Sequence, residues 1–312
     1  MRILFAGTPE IAVPSLSALA GEFDVCGVLT NPDRPSGRGR KTGYSPVKEK
    51  AIELGLNVLQ PDRLNASFRD VVRGLQPDIL TVVAFSRLFG PKFLSLFPQG
   101  GINLHPSLLP QYRGPSPIQA AIKNGDSVTG ITVQKLSLEL DAGDIIIQKE
   151  LALDGSETAG SLTEFCAGIG AEMMVEAVSS IHNGTVQPVP QNHEKASYCS
   201  LIQKTDGIID WSLPAENIDR VIRAYNPWPS AFTHFNGTKL SIKEAAIYAA
   251  QSEKGATAPG TVLGMDKKVG ILIQTGNGVI CITRLQLQAK KEMDFLSFLN
   301  GVHGFIGSTL GG

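Results

Sequence analysis

The segment Asp78–Phe85 (DILTVVAF) constrains the fold more than any other. It is a nearly continuous apolar run, the pattern of a central strand in a parallel sheet covered on both faces. The sequence around it supplies matching units. Arg2–Phe5 reads as a strand, Pro14–Leu19 as a helix, Asp24–Thr30 as a strand and Ser45–Leu54 as a helix opened by Ser45-Pro46. Asn57–Leu59 reads as a short strand, Ala66–Gly74 as a helix and Gly101–His105 as another strand. This strand–helix rhythm predicts a Rossmann-like, doubly wound α/β domain.

Beyond Pro117, a helix is expected over Ile118–Asn124, strands over Thr129–Leu136 and Asp144–Leu153, and a long helix over Ser161–His182. In that helix Leu162, Phe165, Ile169, Met173, Val178 and Ile181 recur at helical spacing and are assigned to the core. The chain then becomes polar and proline-containing. A first domain over 1–189, a linker over 190–205 and a second domain over 206–312 are expected. In the second, Pro214–Ala224 looks helical. Ala231–Phe235, Thr238–Tyr248, Gly260–Met265, Gly270–Gln274 and Val279–Leu287 form short β segments between glycine and asparagine turns, the pattern of a small β-barrel.

Composition removes whole classes. With 42% hydrophobic and 18% charged residues the chain is globular rather than disordered, and a net charge of -1 excludes a wholly basic nucleic-acid coat. Cys26, Cys166, Cys199 and Cys281 lie far apart without a paired motif, so buried reduced thiols are expected rather than a zinc ribbon or disulfide scaffold. His193-Glu194-Lys195-Ala196-Ser197 starts like a zinc-protease helix but has Ser197 where a second histidine is required, so no metal is expected and His182 and His193 are placed at the surface. Glycines stand at neither the dinucleotide nor the P-loop positions. Pro9, Glu10 and Pro14 interrupt the apolar start, and prolines and glycines break Phe93–Tyr112, so neither an export signal nor a membrane span is expected.

The chemistry concentrates in Asn103-Leu104-His105-Pro106-Ser107-Leu108-Leu109-Pro110. On a strand ending at His105, the Asn103 and His105 side chains share a face, and ligands of open α/β sheets bind beyond the carboxyl ends of strands. Both residues are expected at a solvent-facing strand end. Taken alone, the pair fits a capped strand end holding a hydrogen-bonded histidine equally well. Pro106, Pro110 and Pro115 with Gly114 make a stiff loop after the strand, and Leu140-Asp141-Ala142-Gly143-Asp144 places acids before a later strand. A carboxylate there would orient His105 and favour imidazolium.

These two segments resemble the signature of the 10-formyltetrahydrofolate-dependent formyltransferases. Phe5-Ala6-Gly7-Thr8-Pro9, Pro32-Asp33-Arg34-Pro35-Ser36-Gly37-Arg38-Gly39, Tyr112-Arg113-Gly114-Pro115, Asp210-Trp211, Asn226-Pro227-Trp228-Pro229 and Phe298-Leu299-Asn300-Gly301 extend the likeness over nearly the whole chain, toward the members that formylate methionyl-tRNA. The resemblance implies that the second domain is an OB-type barrel that helps hold tRNA. It implies transfer of the formyl group of 10-formyltetrahydrofolate, as co-substrate, to the α-amine of initiator methionyl-tRNA, in a cytoplasmic monomer.

By the same resemblance Asn103 and His105 donate to the oxyanion formed on attack, and Asp141 holds His105 and manages the amine's proton. Ser107, Leu108, Leu109 and Pro110 line the folate pocket, and Gly143 lets backbone approach the folate ring. Ser107 lies outside the strand–turn–helix motif of a hydrolase nucleophile. Asn31–Lys50 carries Arg34, Arg38, Arg40, Lys41, Lys48 and Lys50 against Asp33 and Glu49, and reads either as a solvated loop or as an RNA contact. The resemblance favours contact with the acceptor end of tRNA, with Arg38 central and Arg40 and Lys41 beside it. Two other readings remain: a formyltransferase acting on a small amine such as a nucleotide sugar or glycinamide ribonucleotide, and a non-catalytic tRNA-binding module.

Overall fold

The computed structural model describes residues 1–36, 41–248 and 257–311, with backbone alone at 34–36, 41 and 42. The chain folds into two compact units that do not divide it at a single point. The first comprises Met1–Pro117, Val128–Ala152 and Thr163–Cys199; the second comprises Ile118–Ser127, Leu153–Leu162 and Ser200–Gly312.

The first unit opens with β1 (Arg2–Gly7), α1 (Val13–Glu22) and β2 (Asp24–Leu29), followed by the short strands β3 (Arg34–Ser36) and β4 (Lys41–Gly43). Helix α2 (Pro46–Glu53) starts where Ser45 accepts a hydrogen bond from the Lys48 amide, with Pro46 in its first turn. Then come β5 (Val58–Leu59), α3 (Ala66–Leu75), β6 (Ile79–Val83), the single turn α4 (Pro91–Leu94) and β7 (Gly101–His105). After α5 (Pro117–Asn124), which lies almost wholly in the second unit, come β8 (Val128–Lys135), β9 (Ile145–Ala152) and α6 (Ala159–His182).

Seven strands form one sheet in the order β5-β2-β1-β6-β7-β8-β9. The five from β5 to β7 run parallel, and β8 and β9 are antiparallel additions. All five residues of β6 are buried, as its apolar run predicts. The chain leaves β1 toward one edge through β2 and β5, then returns to β6 and builds toward the other. The direction of winding therefore reverses between β1 and β6, where such sheets bind ligands. Beside β6, the rings of Phe68, Phe93, Phe89 and Phe85 follow one another at centroid separations of 5.0 to 6.2 Å.

The structure amends two expectations here. Phe165, assigned to the core of α6, is 56% exposed. Leu162, Met173 and Val178 are buried as expected, and beside them the buried side of α6 carries the small residues Cys166, Ala167, Gly170, Ala171 and Ala177, which let the helix lie against β7. A Cβ added at Gly170 would stand 2.6 Å from the Leu104 side chain. The stretch of Asn31–Lys50 before the predicted helix, read as loop, contains the antiparallel β3–β4 pair.

In the second unit α7 (Ala215–Ala224) precedes β10 (Phe232–Phe235), β11 (Thr238–Tyr248), β12 (Val262–Asp266), β13 (Gly270–Gln274), β14 (Val279–Leu287), β15 (Met293–Asp294) and α8 (Phe295–Gly301). The strands form a curled antiparallel sheet, β10-β11-β14-β13-β12, with β15 on β14. Ile242, Ile271, Ile273, Ile280, Ile282 and Leu285 fill its concavity, and Phe298 of α8 meets Phe305 edge-on at 5.0 Å. Two N-terminal segments join this unit through specific contacts. The Gly160 amide donates to the Asn226 carbonyl at 2.9 Å, Arg223 donates to the Glu157 carbonyl at 3.1 Å, and Lys123 sits 5.9 Å from the centre of the Tyr225 ring. Among the described residues no helix is long and apolar enough to cross a membrane.

Because Phe298 is fully buried between the sheet and Phe305, Phe298→Ala should destabilise the second unit by about 3–5 kcal/mol, and Phe298→Leu by clearly less. Calorimetry of the full chain, resolving the transitions of both units, tests this. Equal melting of the two variants would show that the ring does not anchor the fold.

Candidate active site

The site grows from the carboxyl end of β7. Because β7 pairs antiparallel with β8, Asn103 stands opposite Gln134 and His105 opposite Thr132. Four polar side chains thus share neighbouring positions on one face. His105 is only 4% exposed, so the expectation of a solvent-facing strand end is corrected for this residue. The residues after β7 close over it: His105 Nε2 lies 2.8 Å from the Tyr112 carbonyl oxygen. A carbonyl only accepts, so Nε2 carries the proton. Nδ1 faces Asp141 Oδ2 at 3.6 Å.

Burial pushes the His105 pKa below its ordinary value, and the Asp141 carboxylate and Tyr112 carbonyl only partly offset it. The neutral ring is therefore the resting form at pH 7. Asp141 does favour the imidazolium, as expected, but desolvation outweighs that charge.

Asp141 occupies the left-handed backbone region, φ +50°, which a short polar side chain tolerates. Its carboxylate accepts from the Gly114 amide (2.9 Å), Gln134 Nε2 (3.0 Å) and, weakly, Asn103 Nδ2 (3.5 Å). Asn103, His105 and Asp141 are thus brought together. Gly114, Gln134 and Tyr112 complete the group. Gly114 has φ +118°, and a Cβ there would stand 2.3 Å from the Cys199 carbonyl oxygen, so only glycine fits. That contact belongs to a rib: Arg113 pairs with Tyr198, and the Ser197 amide and hydroxyl bond the Pro110 carbonyl and Tyr112 amide.

Ser107 is fully buried and its hydroxyl donates to the Gln111 carbonyl at 2.6 Å. Leu109 is buried, with its amide 3.2 Å from Thr132 Oγ1, while Leu108 and Pro110 are half-buried. A Cβ at Gly143 would stand 1.8 Å from the Lys135 carbonyl oxygen, so this glycine permits close approach of β8. Arg38 and Arg40 lie outside the described residues; Lys41 begins β4, with its side chain likewise outside them. Of the other cations in that segment, Lys48 pairs with Asp33 and stands over Tyr44, and Lys50 pairs with Glu53.

A cleft of about 120 Å³ opens beside Asn103 and Asp141. Its walls are Phe85, Arg87, Leu88 and Phe89 after β6 and the 135–141 turn after β8. The 107–110 segment and Gly143 do not line it, and His105 lies outside its lining. Leu88 and Leu140 are 80% and 50% exposed. Next to it, at the reversal between β1 and β6, Asn31 Nδ2 donates to Thr8 and Ser86, and Arg87 donates to Asn31. Sequence reasoning missed the 86–89 wall, although its place after the central strand was the available signal. A larger groove of about 790 Å³ within the second unit contains none of Asn103, His105 or Asp141. Among the described residues no cluster of His, Cys, Asp and Glu could hold a metal ion.

Comparison with known proteins agrees with this architecture. Residues 1–178 match the family described as formyl transferase, and residues 201–303 match the formyl transferase C-terminal domain. The chain is 47% identical over 316 aligned residues to the methionyl-tRNA formyltransferase of Treponema denticola, covering 98% of each. It shares its fold with the N-formyltransferase of Helicobacter canadensis solved with folinic acid and dTDP-3-aminofucose (TM-score 0.67, 21% identity, 92% of this chain and 100% of that one). HypX of Aquifex aeolicus, solved with tetrahydrofolic acid, gives a TM-score of 0.64 at 18% identity over 99% of this chain and 48% of that one. With family matches in both halves and a full-length relative at this identity, the chain belongs to the formyltransferase family.

Proposed function

We propose that the chain transfers the formyl group of 10-formyltetrahydrofolate to the α-amino group of initiator methionyl-tRNA. The observation that carries this reading is the 47% identity, over 98% of both chains, to a relative whose name states methionyl-tRNA formylation. Charged initiator tRNA is found in the cytoplasm, which places the reaction there. The first unit supplies catalysis, and residues 206–312 with Arg38, Arg40 and Lys41 supply tRNA contacts.

The cleft suits a flat heteroaromatic donor. Phe85, Leu88, Phe89 and Leu140 offer apolar walls, and Asn103 and Asp141 stand at its polar end. A free α-amine has a pKa near about 7.7–8.0, so an appreciable part is neutral at pH 7 and attacks without a covalent enzyme intermediate. Attack places negative charge on the formyl oxygen and leaves a proton to be removed from nitrogen. Asn103 Nδ2, held only at 3.5 Å from Asp141, is the donor able to turn toward that oxygen. The proton passes to the Asp141 carboxylate at the cleft wall. Behind it, the neutral His105 ring presents its unprotonated Nδ1, 3.6 Å from Asp141 Oδ2.

The reading is tested by incubating the full chain and 10-formyltetrahydrofolate with methionyl-initiator tRNA, uncharged tRNA or an amino-sugar nucleotide. Formylation of the charged tRNA alone is expected. Turnover with the sugar instead would transfer the protein to the small-amine branch, and folate-independent tRNA binding would remove the enzymatic reading.

In variants whose melting is checked alongside, Asn103→Ala should lower turnover by about 10²–10³-fold. His105→Ala should lower it by about 10²–10⁴-fold. Near-normal rates in folded protein would remove the assigned roles. Because the depressed His105 pKa leaves the ring neutral above it and charged below it, the acid side of the profile should carry, below the fall set by the amine's own protonation, a further fall through an apparent pKa below histidine's ordinary value of about 6.5. Asp141→Asn removes the charge that draws this pKa upward, so this lower limb should move to still lower pH while turnover drops. An unmoved limb in the pH–rate profile would separate Asp141 from His105. Arg38→Ala should weaken use of tRNA and flatten its salt dependence, with folate affinity unchanged, since phosphate contacts release counterions. Identical salt slopes would take Arg38 out of the interface.

A further inference from the structure

We propose that Gln191, locked by the buried Arg113, is the positioning residue that aims the Asp141 carboxylate; this rests on the catalytic reading of Asp141 given above. Gln191 is 5% exposed and Arg113 only 1%. Gln191 Oε1 accepts from Arg113 Nε at 3.2 Å and from Nη2 at 2.8 Å. This forked contact leaves the amide one orientation, with Nε2 turned the other way. There Nε2 meets the Gly143 carbonyl at 2.7 Å, the Asp141 carbonyl at 2.9 Å and Gln134 Oε1 at 3.2 Å.

One side chain therefore bridges the carbonyls on either side of Ala142. Asp141 sits at φ +50°, a conformation a non-glycine residue keeps only when its surroundings enforce it. The bridge enforces it. It also orients Gln134, whose own Nε2 donates to Asp141 Oδ1 at 3.0 Å. Both the backbone and one oxygen of Asp141 are thus referred to a single amide. Arg113 is held from the other side by Glu139 and Tyr198, each at 3.4 Å, and by His193 Nδ1 at 3.2 Å. The titratable groups facing the cluster are His105 and Cys199 on the Asp141 side, and Glu139, His193 and Tyr198 on the Arg113 side.

The test compares Gln191→Met, which keeps length but removes donor and acceptor, with Asp141→Asn in the full chain. Three quantities are read: melting temperature, kcat with methionyl-tRNA, and the titration of the His105 ring by NMR. Gln191→Met should lower kcat by about 10²-fold, the scale of a misplacement of about 1 Å. It should also lower the His105 pKa, because the carboxylate that raises it has turned away. If this variant does not fold, Gln191→Glu carries the kcat comparison, since it keeps an oxygen facing Arg113 and sets a charged acceptor, in place of the donor, against the Asp141 and Gly143 carbonyls. A lower melting temperature with wild-type kcat and His105 titration would overturn the proposal and leave the pair as scaffold. Loss of activity in Asp141→Asn with full kcat in a folded Gln191 variant would overturn the positioning alone. Full activity in Asp141→Asn would overturn both this proposal and the catalytic reading beneath it.

Discussion

A carboxylate kept mostly from water beside a buried imidazole is the constraint to which the first unit is built. Each oxygen of Asp141 must find donors, because an unmatched buried charge costs several kcal/mol. The donors come from separate elements: the Gly114 amide after β7, Gln134 in β8 and Asn103 in β7. Each donor imposes its own demand. Gly114 must be glycine, β8 must run antiparallel in one register, and α6 must carry small residues to lie close behind β7. The same enclosure that makes the carboxylate costly keeps His105 neutral, which is the form able to take a proton.

The sheet was legible because its signals are local. The apolar run at β6 and the glycine-bounded strands β7, β11 and β13 coincide with periodic patterns, and Ser45 and Pro46 announce α2. What escaped had weak local signals. The strands β3 and β4 have three residues each, and α4 is one turn behind a proline. Phe165 defeats the periodic pattern because size favours large apolar residues for the core face, whereas close helix–sheet contact selects small ones.

At the site, Asn103 and His105 could be seen to share a face from strand periodicity. Their company could not. Gly114 reaches Asp141 across 27 positions, and Gln191 reaches it across 50, and no repeat in the sequence marks such pairs. Charge counting was similarly incomplete. Lys48 and Lys50 swell the basic segment, yet both are spent on neighbouring carboxylates, so a run of cations overstates what an RNA would meet.

The rib formed by Ser197, Tyr198 and Cys199 bears on how such proteins can be recombined. The two family matches end at 178 and begin at 201, which suggests a dispensable stretch between interchangeable modules. Yet Gln191 and the rib lie in that stretch and belong to the first unit. A graft that kept the matched residues alone would carry Asn103, His105 and Asp141 into a new protein without the backbone that closes over them. A boundary that keeps the site whole therefore falls after Cys199 rather than at 178, and any exchanged C-terminal part must still match residues 118–127 and 153–162, which pack with it.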